Sequence, residues 1–134
     1  MADNALFPKG AALVLGASGG IGGKIAEVLA ADGSDLALVY NRKADVAQLV
    51  EAAIAEHGRI HSLIWAAGPL VEQLYLSETP MEAWRKAFEV EVHGLFQITQ
   101  ALLPHMRDMG GGSIVHLGSA GHLRWPDRDG LSVA

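Results

Sequence analysis

The residues with the plainest chemical bias are glycines. Gly16, Gly20 and Gly22 stand in the spacing G-x-x-x-G-x-G, and Gly19 and Gly23 add further backbone freedom. Ahead of them the apolar run Ala11 to Leu15 reads as a buried strand. Behind them Ile21, Ile25, Val28 and Leu29 recur at helical spacing until Gly33. A strand that turns through glycines into a helix gathers unpaired N–H groups and a partial positive charge at one point. Glycines also let a pyrophosphate approach that backbone closely. The chemistry indicated is dinucleotide binding; the alternative is a sharp turn that holds no ligand.

A second strand, residues 36–40, ends in Tyr40-Asn41-Arg42-Lys43. A carboxylate at such a strand end hydrogen-bonds the ribose 2′-hydroxyl of NAD, whereas a basic residue accommodates the 2′-phosphate of NADP. No carboxylate stands here. Arg42 offers a forked donor to a phosphate and Asn41 a further hydrogen bond, so NADP is favoured, with NAD as the alternative. A solvated basic loop is the competing reading.

Other chemistries find little support. The six histidines (57, 61, 93, 105, 116 and 122) form no ligand spacing such as H-E-x-x-H, so no metal site is expected. There is no cysteine, no G-x-S-x-G elbow, and no lysine in Walker order after the glycines. A net charge of −5 argues against a general nucleic-acid partner, and no apolar run approaches the ~20 residues of a membrane span. The first residues, MADNALFPKG, do not read as a signal peptide, which suggests a cytoplasmic protein.

The elements that must position these groups alternate. A helix is expected over 46–55, a third strand over 61–65, a long helix over 81–109 and a fourth strand over 113–117. Thr79-Pro80-Met81-Glu82 resembles a capping box, and Pro104 suggests a bend. Strands alternating with helices imply βαβ units in a parallel sheet. Their unbroken apolar runs suit strands covered on both faces. The 134 residues carry no repeat or linker and read as one domain, 1–134.

Several motifs, in order, resemble the short-chain dehydrogenase/reductase family. Leu15-Gly16-Ala17-Ser18-Gly19-Gly20-Ile21-Gly22 is similar to its T-G-x-x-x-G-x-G, with leucine for threonine. Residues 58–68, GRIHSLIWAAG, resemble its "GxIDxLVNNAG". Trp84 through Met106 resembles its long helix, and Gly112 through Ser119 its serine-bearing strand. The nearest variety is a 3-oxoacyl-(acyl carrier protein) reductase. The resemblance implies a Rossmann-type doubly wound sheet, here incomplete with about four strands. It also implies hydride transfer between a nicotinamide and a small or carrier-bound carbonyl or alcohol. By the same resemblance Ser119 orients the substrate oxygen, while Gly16, Ser18, Gly20, Ile21, Gly22, Ala67 and Gly68 line the cofactor with Asn41 and Arg42.

Departures from the pattern carry their own expectations. The family's helix asparagine falls on Glu91 and the first asparagine of "NNAG" on Trp65. The only tyrosines are Tyr40 and Tyr75, and neither has lysine four residues later. The family's Tyr-x-x-x-Lys pair, expected a dozen or more residues past Ser119, is therefore missing, which reads as truncation. A further helix and strand normally lie between the second strand and the next helix. The gap falls either before Asp45-Val46 or after Gln48. Cofactor binding with little turnover is expected, or else a non-catalytic dinucleotide-binding module. In the family the long helix packs against a partner subunit, so homo-oligomerisation through 81–109 is expected, with Trp84, Phe88, Phe96 and Leu103 partly exposed.

Overall fold

The computed structural model describes residues 6–40 and 45–133. Four strands, β1 (Ala11–Leu15), β2 (Asp35–Val39), β3 (Ile60–Trp65) and β4 (Ser113–His116), form one parallel sheet in the order β2-β1-β3-β4. This is the expected Rossmann-like α/β arrangement. Alternation along β1 and β3 divides the core between two faces. Ala11, Leu13, Ile60, Leu63 and Trp65 meet Val50 and Ala53 of α2 (Val46–His57) and Ile98, Leu102 and Met106 of the long helix. Ala12, Val14 and Ile64 meet Ile25 and Leu29 of α1 (Gly20–Ala31). The crossover through α1 runs outward from β1 and the crossover through α2 runs back across it. Right-handed connections in opposite directions put their helices on opposite faces, and that is where they lie.

Coverage on both faces holds for β1 and β3 but not for the edges. β4 is exposed along its whole length and β2 is only partly covered, because α1, α2 and the long helix lie over the two central strands. On α1 the buried stripe is Gly22 and Ala26, flanked by Ile25 and Leu29. The small residues bring the helix close to the sheet and leave Ile21 and Val28 outside, contrary to the expectation that they pack inward.

The long helix comprises α3 (Met81–Phe88), a π-helical turn at Glu89–Gly94, and α4 (Leu95–Asp108). It runs through Pro104, and the irregularity lies in the π-turn instead. There Gly94 crosses the Trp65 ring so closely that a Cβ would lie 2.8 Å from Cη2. The expected capping box does not form. Pro80 is the N-cap without a side-chain bond, and Thr79 Oγ1 instead donates to the Tyr75 carbonyl at 3.1 Å. A cap does form on α2, where Asp45 Oδ1 accepts from the N–H groups of Ala47 (2.9 Å) and Gln48 (3.2 Å). Trp84 and Phe88 stack 4.7 Å apart and are partly buried, while Phe96 and Leu103 are exposed. A short α5 (Gly130–Val133) closes the described chain.

Candidate functional site

The glycines after β1 divide into two kinds. Gly16 has φ +85°, and a Cβ there would run into the backbone of Ala66 and Ala67 just past β3. A Cβ on Gly22 would run into the Gly16 carbonyl and lie 3.1 Å from the Ala66 Cβ. These two are required by the chain itself, because they lock β1, α1 and the end of β3 together. A Cβ added to Gly20, in contrast, would meet no described atom within 4 Å, so its surface is open. Gly19 caps α1 with no side-chain bond, and the first turn has no acidic residue. The first N–H groups of α1 and their positive potential are thus left for an anion.

Beside this turn a cleft of about 260 Å³ opens at the carboxyl ends of β1, β2 and β3. It sits where the chain order reverses across the sheet, the place where open α/β sheets bind ligands. Gly16, Ser18 and Ala67 line it as the sequence suggests, and Gly20, Ile21 and Gly22 open α1 alongside. Asn41 and Arg42 lie outside the described residues. Sequence reasoning missed the apolar walls, namely Val39, Tyr40, Val46 and Leu49 on one side and Val90, Gly94 and Ile98 on the other. Val46 and Leu49 carried a helical signal. The inward set of the π-turn carried none. Trp65 is 5% exposed, and its buried indole Nε1 has no partner among the described residues.

The second group of candidates gathers at β4. Ser119 follows the strand, and its Oγ accepts from the Gly121 N–H at 3.0 Å while it begins the turn Ala120–Leu123. Glu91 does not lie on an open helix surface. The π-turn carries it inward, so that Oε1 packs against Gly68 and Oε2 stands 3.7 Å from His116 Nε2 at the end of β4. His116 pairs in register with Trp65, which places this ion pair over the ends of β3 and β4. A second pair on the same turn, His93 Nδ1 to Glu89 Oε2 at 2.8 Å, is exposed. Among the described residues no three His, Cys, Asp or Glu side chains group as metal ligands.

The buried histidine is elsewhere. His61, near the start of β3, stacks on Phe7 at 5.4 Å. Ser34 Oγ donates to the Asp35 carbonyl, so His61 Nε2–H donates to Ser34 Oγ (3.1 Å) and Nδ1 accepts from Ser62 (2.9 Å). Burial pushes its pKa below the ordinary 6.5. Arg59 adds to the effect and Asp35 opposes it.

The short chain dehydrogenase family profile matches residues 40–127. An uncharacterized oxidoreductase of Staphylococcus saprophyticus is 31% identical over 140 residues, covering 85% of this chain and 56% of its own length. A protein provisionally named ketoacyl reductase 2 of the granaticin polyketide synthase, from Streptomyces violaceoruber, is 31% identical over 134 residues, covering 81% and 54%. A solved short-chain dehydrogenase from Streptomyces avermitilis has a TM-score of 0.82 at 26% identity, covering 94% of this chain and 55% of that one. The chain belongs to the short-chain dehydrogenase family, and it spans little more than half the length of the curated relatives it matches.

Proposed function

We propose that this short-chain dehydrogenase binds a nicotinamide dinucleotide across the carboxyl ends of its strands and serves hydride transfer between that cofactor and a carbonyl or alcohol. The observation that carries the reading is the open, uncapped start of α1 at the mouth of the cleft. The cleft is slightly smaller than the ~300–1,000 Å³ of most small-molecule sites, which suits one nucleoside half of a dinucleotide. When bound, the cofactor supplies the hydride. The N–H groups at Gly20, Ile21 and Gly22 would take its pyrophosphate, with Ser18 beside them. The walls at Val39, Val46 and Leu49 would exclude water from its adenosine half, and Ala67 and Gly68 would border the path towards β4. Arg42 and Asn41 favour NADP over NAD. Ser119 would hold the substrate oxygen.

The substrate is a small or carrier-bound carbonyl compound; the ketoacyl reductase name of one relative supports the carrier-bound class. The working unit is a single cofactor-binding domain, 1–134, that forms a cytoplasmic homo-oligomer through helix 81–109. The absence of a Tyr-x-x-x-Lys pair from these residues favours slow turnover, and a purely dinucleotide-binding role is the second reading. Fluorescence titration with NADPH and NADH tests both. Saturable binding with NADPH the tighter ligand is expected, followed by slow loss of nicotinamide absorbance on adding a ketone. Binding with no loss at all favours the second reading, and no binding of either nucleotide refutes both.

A further inference from the structure

Reduction of a carbonyl needs two deliveries, a hydride to carbon and a proton to oxygen, and the residues so far assigned supply no proton donor. Ser119 has an ordinary hydroxyl, and neither tyrosine of the chain has a lysine four residues on. Titratable pairs that gather at the strand ends beside a ligand cleft are the natural place to look. Glu91 and His116 form such a pair. Glu91 is delivered by a π-turn, an irregularity that recurs at functional sites. Its carboxylate bridges Gly68, on the path after β3, and His116, three residues before Ser119. Both side chains are partly buried, at 36% and 41% exposed, so the pair is held yet reachable from solvent. The ordinary pKa of histidine lets it carry a proton at neutral pH and give it up in a reaction.

Resting on the oxidoreductase reading above, we propose that His116 is the proton donor in carbonyl reduction by this chain, with Glu91 as its positioning residue. In the step, a C–H bond of the reduced nicotinamide breaks and its hydride forms the new C–H bond at the carbonyl carbon. The carbonyl oxygen takes the proton from His116, and an N–H bond is exchanged for an O–H bond. The products are the alcohol, the oxidised nicotinamide and a neutral imidazole that regains its proton from water. Glu91 remains ionised throughout. It fixes the ring by its contact and favours the imidazolium, as carboxylates beside histidines do. The groups facing His116 are Glu91 from the π-turn and, across β3, the ring of Trp65.

The test compares the wild type with His116→Ala, Glu91→Gln and, as control, His93→Asn from the exposed pair. Three quantities are read: the dissociation constant for NADPH, the rate of NADPH oxidation with cyclohexanone, and acylation of each histidine by diethyl pyrocarbonate. The expected result is unchanged NADPH affinity in all variants. Oxidation falls about 100-fold in His116→Ala, the usual scale of a lost general acid, and recovers with added imidazole. Glu91→Gln loses about tenfold, and His93→Asn none. His116 is acylated in the free protein and protected by NADPH plus ketone, whereas His93 reacts equally in both. The proposal is overturned by NADPH binding without any oxidation, by oxidation indifferent to His116→Ala, or by a loss that imidazole does not rescue. Absent protection of His116 overturns it as well. Failure of the wild type to bind NADPH overturns the oxidoreductase reading itself, which separates the two.

Discussion

If the glycines after β1 serve two purposes, single methyl groups should separate them. Gly22→Ala places a Cβ against the Gly16 carbonyl, a backbone atom that cannot rotate away, and 3.1 Å from the Ala66 Cβ. Overpacking of this kind costs about 1–3 kcal/mol, and replacing glycine inside a helix returns about 1 kcal/mol. The net loss is about 1–2 kcal/mol, or a melting temperature about 4–8 °C lower for a chain of this size. Gly20→Ala meets nothing within 4 Å, so the fold should be unchanged or slightly firmer. Its methyl group, however, projects into the space where a phosphate would meet the first N–H groups of α1. The NADPH dissociation constant should rise tenfold or more, which corresponds to about 1.4 kcal/mol. Thermal melts and NADPH fluorescence titrations on both variants make the comparison. Full-strength NADPH binding by a folded Gly20→Ala protein would refute the reasoning, because the open glycine would then have no ligand to admit.

The packing sets three further outcomes. His61 is held below its ordinary pKa of 6.5, so the native state binds fewer protons than the unfolded chain. Stability should be full above about pH 6.5 and decline as pH falls through that value towards the folded pKa, seen as a falling midpoint in urea melts between pH 7 and pH 5. Asp45→Ala removes the cap of α2 and should cost about 1 kcal/mol, measurable as a shift in urea midpoint without a change in slope. If helix 81–109 is the association surface, Phe96→Ser and Leu103→Ser, both at exposed positions, should each weaken self-association about tenfold in sedimentation equilibrium.

What the sequence discloses and what it withholds follow a physical line. The strand–glycine–helix order, the four strands and the long helix are encoded in local runs of apolar residues, and the structure has them within a residue or two at most ends. The capping box fails because Thr79 and Glu82 satisfy a pattern, whereas the backbone before Pro80 turns the threonine towards Tyr75. The exposure of β4 is hard to read because an apolar run such as Ile114-Val115 records what a strand is built to meet, not which neighbours are in place.

The site shows the same limit more sharply. A glycine spacing announces a phosphate turn, yet it does not say which glycine is kept for the ligand and which for the fold. That distinction depends on what stands across the gap: Ala66 opposite Gly16 and Gly22, and nothing opposite Gly20. Glu91 makes the point for charge. On a regular helix its carboxylate would be one more solvated group, and the sequence offers no reason to think otherwise. The π-turn changes the helix phase just where Gly94 must pass over Trp65, and that change brings the carboxylate to Gly68 and His116. The tryptophan that replaces the family's asparagine and the glutamate that replaces its helix asparagine are therefore coupled departures. The bulk of the first helps set the path of the turn that aims the second.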